Sequence, residues 1–233
     1  MRSINPAVKF IGLLAVTFIL AYRFSPILNL FVFFASMAAI FLSGVKPKTI
    51  GLLMIPILLA ALGMFFTGYR FSAAGSMPVT AADFLITDSR LFNGIAQASR
   101  VLAYAGVGFL FTLTTDRIIL VRSFQAQFHL PQVFAYGLLA AWGVVPHMMQ
   151  EYKRTKAAFR ARGISVFPVS PALLKPLLVK SIRWSEELSI AMESKGFSGH
   201  EKRTDYNPIR VQKRDWYFLA ACVMLTALAA FFL

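Results

Sequence analysis

Residues 49–69 lie between Lys48 and Arg70 and contain no charged side chain. These 21 residues make a helix of about 32 Å at ~1.5 Å per residue, the thickness of a bilayer's hydrocarbon core. Residues 216–233 form a second such run, with Trp216 and Tyr217 placed as interfacial anchors. A third, residues 91–115, is interrupted only by Arg100. Across the chain 58% of residues are hydrophobic and 15% are charged, against roughly 25% charged in soluble domains. One soluble core of 233 residues cannot hide that much apolar surface. Disorder is excluded by the 14% aromatic content, and a barrel would show alternation rather than unbroken runs. The expected fold class is all-α, a polytopic helical membrane protein.

Residues 10–42 are apolar except for Arg23 and span about 50 Å as one helix, too long for a single crossing. A tight hairpin turning at residues 22–26 is expected, with Lys9 snorkelling at one end. Residues 123–150 also lack charge. Counting that run as a span would divide the basic side chains between both faces of the membrane. Without it, five spans leave only Arg23, Arg70 and Arg90 outside, out of 24 Lys and Arg. Gln125, Gln127, Gln132, His129 and two prolines also suit lipid poorly, so this run is expected as helix buried within protein beneath the membrane. The organisation is then residues 1–115 as spans one to four, 116–215 as a cytoplasmic coupling region, and 216–233 as the last span. The net charge of +14 is read as the positive-inside bias rather than as a nucleic-acid surface.

The coupling region contains a repeat. One helix is expected to stop at Gly163; a second begins after Ser170-Pro171, carries an apolar face (Leu174, Leu177, Leu178, Ile182, Leu188, Met192) and stops at Gly196. The two endings, residues 158–163 and 191–196, align at an offset of 33 as Ala, large apolar, variable, small, basic, Gly. A basic residue before a terminal glycine is ordinary helix-end chemistry. Two matching copies in one insert suggest a docking feature presented twice.

The sequence around Ala161-Arg162-Gly163 and residues 191–197, followed by Arg203, resembles the paired Ala-Arg-Gly motifs of the transmembrane T components (EcfT family) of energy-coupling factor importers. The resemblance implies a scaffold of a vitamin or metal-ion importer in the cell membrane of a prokaryote. Its partners would be two ABC-type ATPase subunits, a small substrate-binding membrane protein and the lipid bilayer, with no nucleic acid. It implies no cofactor of its own, ATP being bound by the partners. It also implies ATPase-docking roles for Arg160, Ala161, Arg162, Gly163, Glu193, Ser194, Lys195, Gly196 and Arg203. Lys195 stands where the family has arginine, and loses the planar fork that binds carboxylates at two points. Residues 131–137 weakly resemble T components dedicated to thiamine or its pyrimidine precursor.

The residues also exclude. There is no glycine-rich loop ending in Gly-Lys-Ser/Thr, so an ATPase is not expected here. His129, His147 and His200 lack ligand spacing, and the lone Cys222 supports neither a disulfide nor a Cys-based zinc cluster. Glu186 and Glu187 read as a solvated helix face near Arg183. Arg100 lines a substrate path or snorkels outward. The alternative class, a membrane enzyme acting on anionic headgroups, would need clustered acidic residues; Asp83, Asp88 and Asp116 are dispersed. A self-sufficient secondary transporter would show a repeat of its spans, and none is visible.

Overall fold

The computed structural model describes residues 4–71, 89–165, 167–168, 170–197 and 209–232. Its regular elements there are helices: α1 (Pro6–Tyr22), α2 (Pro26–Leu42), α3 (Pro47–Arg70), α4 (Ser89–Thr114), α5 (Arg117–Gln127), α6 (Gln132–Ala161), α7 (Pro171–Ser194) and α8 (Lys213–Phe232). The protein is an all-α polytopic membrane protein. Proline opens α1, α2, α3 and α7, where its missing N–H costs nothing and its fixed φ suits the first turn. The expected hairpin is present: α1 ends at Tyr22 and α2 starts at Pro26. At 17 residues each, these two are at the short end of what crosses a bilayer, whereas α3, α4 and α8 are long and apolar enough by length and composition.

The chain divides into two compact units, residues 1–123 with 209–233, and residues 124–208. In the first, α4 packs on α1, α2 and α3, and α8 packs on α1. The direction of each helix follows from its polar contacts. The Asn5 backbone N–H donates to Asp215 Oδ1 at 3.0 Å, and Arg23 Nε donates to the Ala230 carbonyl at 2.8 Å, so α1 and α8 run parallel. Lys9 donates to Thr114 near the end of α4, and Arg100 meets the last carbonyls of α1, so α4 runs antiparallel to α1. Asn29 donates to Ser99 at 3.2 Å, and Phe33 and Ser36 flank Gly106, making α2 parallel to α4. The start of α1, end of α2, start of α3, end of α4 and start of α8 therefore share one end of the bundle. Five alternating crossings satisfy that pattern.

The helices touch through a buried seam of Leu13, Val16, Val32, Ile40, Ala103 and Val107. Leu52, Ile55, Leu59, Leu62 and Phe66 of α3 remain exposed, as expected for a face turned to lipid. Near the end of α3 two backbones meet. A Cβ at Gly68 would lie 2.8 Å from the Asn93 carbonyl oxygen and 3.0 Å from the Gly94 Cα. Small residues allow this proximity, which dispersion forces then reward in the absence of a hydrophobic driving force.

The second unit is a hairpin of α6 and α7. Tyr136 meets Phe197, His147 stacks with Trp184, and Glu151 binds Lys180. Residue numbers rise on one helix as they fall on the other, so the pair is antiparallel. Two expectations fail here. The run 123–150 is not one buried helix: it breaks at residues 128–131, where His129 adopts φ +53, and Phe134, Leu138, Trp142, Val145 and Met149 of α6 are all about half or more exposed. The α7 face of Leu174, Leu178 and Ile182 is exposed by 51%, 61% and 58% rather than packed. Leu173, Leu177, Trp184 and Leu188 are instead buried or half-buried, and Trp184 stacks on His147 of α6.

Candidate functional site: two matching helix ends

The aligned endings are also aligned in backbone. The α6 end has Arg162 as its C-cap; the Gly163 N–H donates to the Arg160 carbonyl at 2.9 Å and the Ile164 N–H to the Phe159 carbonyl at 3.0 Å. The α7 end has Lys195 as its C-cap; the Gly196 N–H donates to Glu193 at 2.8 Å and the Phe197 N–H to Met192 at 2.9 Å. Both glycine-turn bonds recur 33 residues later. Both glycines have φ +73, where a Cβ would be strained, so each helix is forced to stop one residue after its cation. These are Schellman turns, with the apolar pairs Phe159/Ile164 and Met192/Phe197 at the positions such turns favour.

Arg160, Ala161, Arg162, Gly163, Glu193, Ser194, Lys195 and Gly196 are all exposed. The structure gathers them into two groups rather than one. Because α6 and α7 are antiparallel, the groups occupy opposite ends of the hairpin, separated by the 24 residues of α7, or about 36 Å. Arg203 and His200 lie outside the described residues. Each end is tied down differently: Tyr152 donates its hydroxyl hydrogen to the Pro168 carbonyl at 2.9 Å beside the first, while Phe197 of the second packs on Tyr136 with ring centroids 5.3 Å apart.

Glu151 holds the hairpin together. Its carboxylate accepts from Arg154 at 2.7 Å and from Lys180 across the seam, with 11% of its side chain exposed. The spacing of acids and bases gave no hint of this pair, because Lys180 lies 29 positions away. The bonds from Lys180 and then Arg154 hold the Glu151 carboxyl below its ordinary value of 4.5. A depressed folded value means that the contact stabilises above pH 4.5 and is lost as pH falls below it. The melting midpoint of the parent should therefore drop toward that of Glu151→Gln as pH falls below 4.5, the difference being full at neutral pH. A constant difference between the two proteins from neutral to acid pH would contradict this.

Arg100 is held by the end of α1. Its Nη2 donates to the carbonyls of Leu20, Ala21 and Arg23 at 3.2–3.3 Å, and its guanidinium sits 4.8 Å from the centre of the Phe24 ring. It caps the C-terminus of α1 and so fixes the α1–α2 turn. The histidines have structural surroundings: His129 lies in the break before α6 and His147 stacks with Trp184.

Comparison with known proteins adds an independent line. The chain is 29% identical over 203 residues to the energy-coupling factor transporter transmembrane protein EcfT of Lacticaseibacillus paracasei, covering 81% of this chain and 74% of that protein. It is 28% identical over 204 residues to EcfT 1 of Listeria monocytogenes, covering 80% and 71%. Against EcfT of Streptococcus equi it is 26% identical over 251 residues, covering 97% and 89%. The family model for CbiQ, described as cobalt transport protein, matches residues 1–206. With its apolar helix bundle and its twin helix ends, the chain belongs to the CbiQ family and is a transmembrane T component of the energy-coupling factor transporter type.

Proposed function

We propose that this chain is the non-catalytic coupling scaffold of an energy-coupling factor importer for a vitamin or metal ion. The observation that carries the reading is the pair of congruent Schellman ends, each with a cation at its C-cap, at opposite ends of one hairpin. A spacing of about 36 Å suits two separate ATPase subunits better than two contacts on one. Each tip is rigid, exposed and basic, as insertion into an acidic recess requires. The residues assigned to docking are Arg160, Ala161, Arg162, Gly163, Glu193, Ser194, Lys195, Gly196 and Arg203. ATP is bound and hydrolysed by the partners, and a small membrane protein captures the substrate. Residues 1–115 and 216–233 supply the spans and residues 116–215 the coupling region. The deciding experiment is co-purification: Arg162→Ala combined with Lys195→Ala should lose the ATPases while inserting normally in the membrane.

The bundle end that holds the start of α1 and the end of α4 also carries Lys46, Lys48, Arg117, Lys213 and Arg214, whereas Arg23, Arg70 and Arg90 fall at the other. The positive-inside bias puts the first end, with residues 116–215, in the cytoplasm. In a Cys222→Ala background, an impermeant thiol reagent should label Gly75→Cys on intact cells and His200→Cys only after permeabilisation. Labelling of both on intact cells would overturn the five-span topology.

A further inference from the structure

Four of the spans leave an opening among themselves. Leu13 and Val16 of α1 and Val107 and Leu110 of α4 are buried and floor a groove of about 160 Å3. One wall is Ala35, Ser36 and Ala39 of α2, and the other includes Cys222 and Thr226 of α8. Small side chains usually let helices close, as Gly68 and Gly94 do between α3 and α4. Here they line a slot instead. No charged side chain faces it among the described residues, and Thr226 donates its hydroxyl hydrogen to the Cys222 carbonyl of its own helix. Its rim is open: Phe31 and Leu225 are 46% and 60% exposed.

The depth of the slot follows from the helix directions. Ala39 and Leu110 lie three and four residues before the ends of α2 and α4, at the bundle end that carries Lys46, Lys213 and Arg214. Phe31 lies 11 residues from the end of α2, and Thr226 lies 13 from the start of α8. At ~1.5 Å per residue the slot runs from about 5 to about 20 Å below that end, mostly within one leaflet of a ~30 Å hydrocarbon core. Water does not reach this depth. An empty slot would forfeit dispersion contacts along its buried floor. An apolar cavity of about 150 Å3 accepts a small apolar molecule such as benzene, so the slot has room for a stretch of hydrocarbon chain. Because α2 and α8 still touch, it does not admit another helix, which with its side chains is about 10 Å wide. We propose that the slot binds one acyl chain of a phospholipid from the leaflet at the basic end, entering sideways past Phe31 and Leu225. This site is separate from the docking ends and does not depend on them.

The test reconstitutes the full chain in bilayers containing phosphatidylcholine with a diazirine midway along one acyl chain. The protein is extracted into detergent, washed, and weighed by native mass spectrometry; a portion is irradiated and its crosslinks are mapped. A single phospholipid should stay on the parent, with crosslinks on residues 31–39 and 218–226 and not on the exposed α3 row of Leu59 and Leu62. Ala35→Leu with Ala39→Leu fills the slot and should reduce retained lipid to background. Ala60→Leu, on the exposed side of α3, should retain it. Thermal melting confirms that each variant is folded, and the crosslink map of the parent needs no substitution. Crosslinks spread equally over α3 and the slot would overturn the proposal, since the lipid would then be a general coat. So would a parent stripped of lipid by the wash, a retained mass matching a free fatty acid, or slot residues that lose their lipid crosslinks once a membrane partner is bound, which would make that partner the occupant.

Discussion

Alanine at position 162 is expected to strip the purified protein of its ATPases far more severely than alanine at position 195. Both residues are C-caps of congruent turns, so the backbone presents them alike and the side chains alone differ. Arginine offers two parallel N–H donors to one carboxylate; lysine offers a compact, strongly hydrated point charge. Truncating one partner of a buried charge pair costs about 2–5 kcal/mol, or roughly 30-fold to several thousandfold in affinity, partly because the other charge is left unpaired. Arg162→Ala should fall in that range. Lys195→Ala should lose less, because an ammonium tolerates a wetter site, and Lys195→Arg should be neutral or tightening. The measure is ATPase retained per mole of membrane protein at fixed salt. If both alanine variants keep their ATPases like the parent, the two cations are ordinary helix-end charges and the docking role is wrong.

The turn at residues 22–26 was legible because a lone arginine and a proline interrupt an apolar run that is too long for one crossing. The twin ends were legible because a Schellman turn is a local structure, and its glycine, cation and apolar positions are all close in sequence. The packed face of α7 was not. That helix carries two apolar rows one residue apart, Leu173–Leu177–Trp184–Leu188 and Leu174–Leu178–Ile182, and periodicity establishes that a helix has an apolar face without saying which face meets its own chain. The run 123–150 misled for a related reason. The glutamines, His129 and two prolines pointed away from a lipid-facing span, but burial is a tertiary property, and the α6 row from Phe134 to Met149 stays uncovered by the described chain. Glu151 was missed because its decisive partner is distant in sequence.

A leucine at position 68 should break the membrane bundle where a leucine five residues earlier should not. At Gly68 even a methyl group would sit 2.8 Å from a backbone carbonyl and 3.0 Å from a Cα of α4, and neither atom can turn aside as a side chain would. The helices must separate, which removes dispersion contacts along the α3–α4 seam. Overpacking of this kind typically costs about 1–3 kcal/mol and more when backbone opposes it. At Gly63, by contrast, an added Cβ meets nothing within 4 Å, and replacing a mid-helix glycine gains roughly 0.5–1 kcal/mol of helix preference. The comparison is thermal melting of Gly68→Leu and Gly63→Leu in one detergent, with the monodisperse fraction on size exclusion as a second reading. Gly68→Leu should melt lower and aggregate, while Gly63→Leu should match or exceed the parent. Because α4 also packs against α1 and α2, opening this seam should reach the rest of the bundle, and ATPase retention per folded molecule should fall with it. Equal melting of the two variants would show that the α3–α4 contact is slack enough to accept a side chain, and that small residues do not set this crossing.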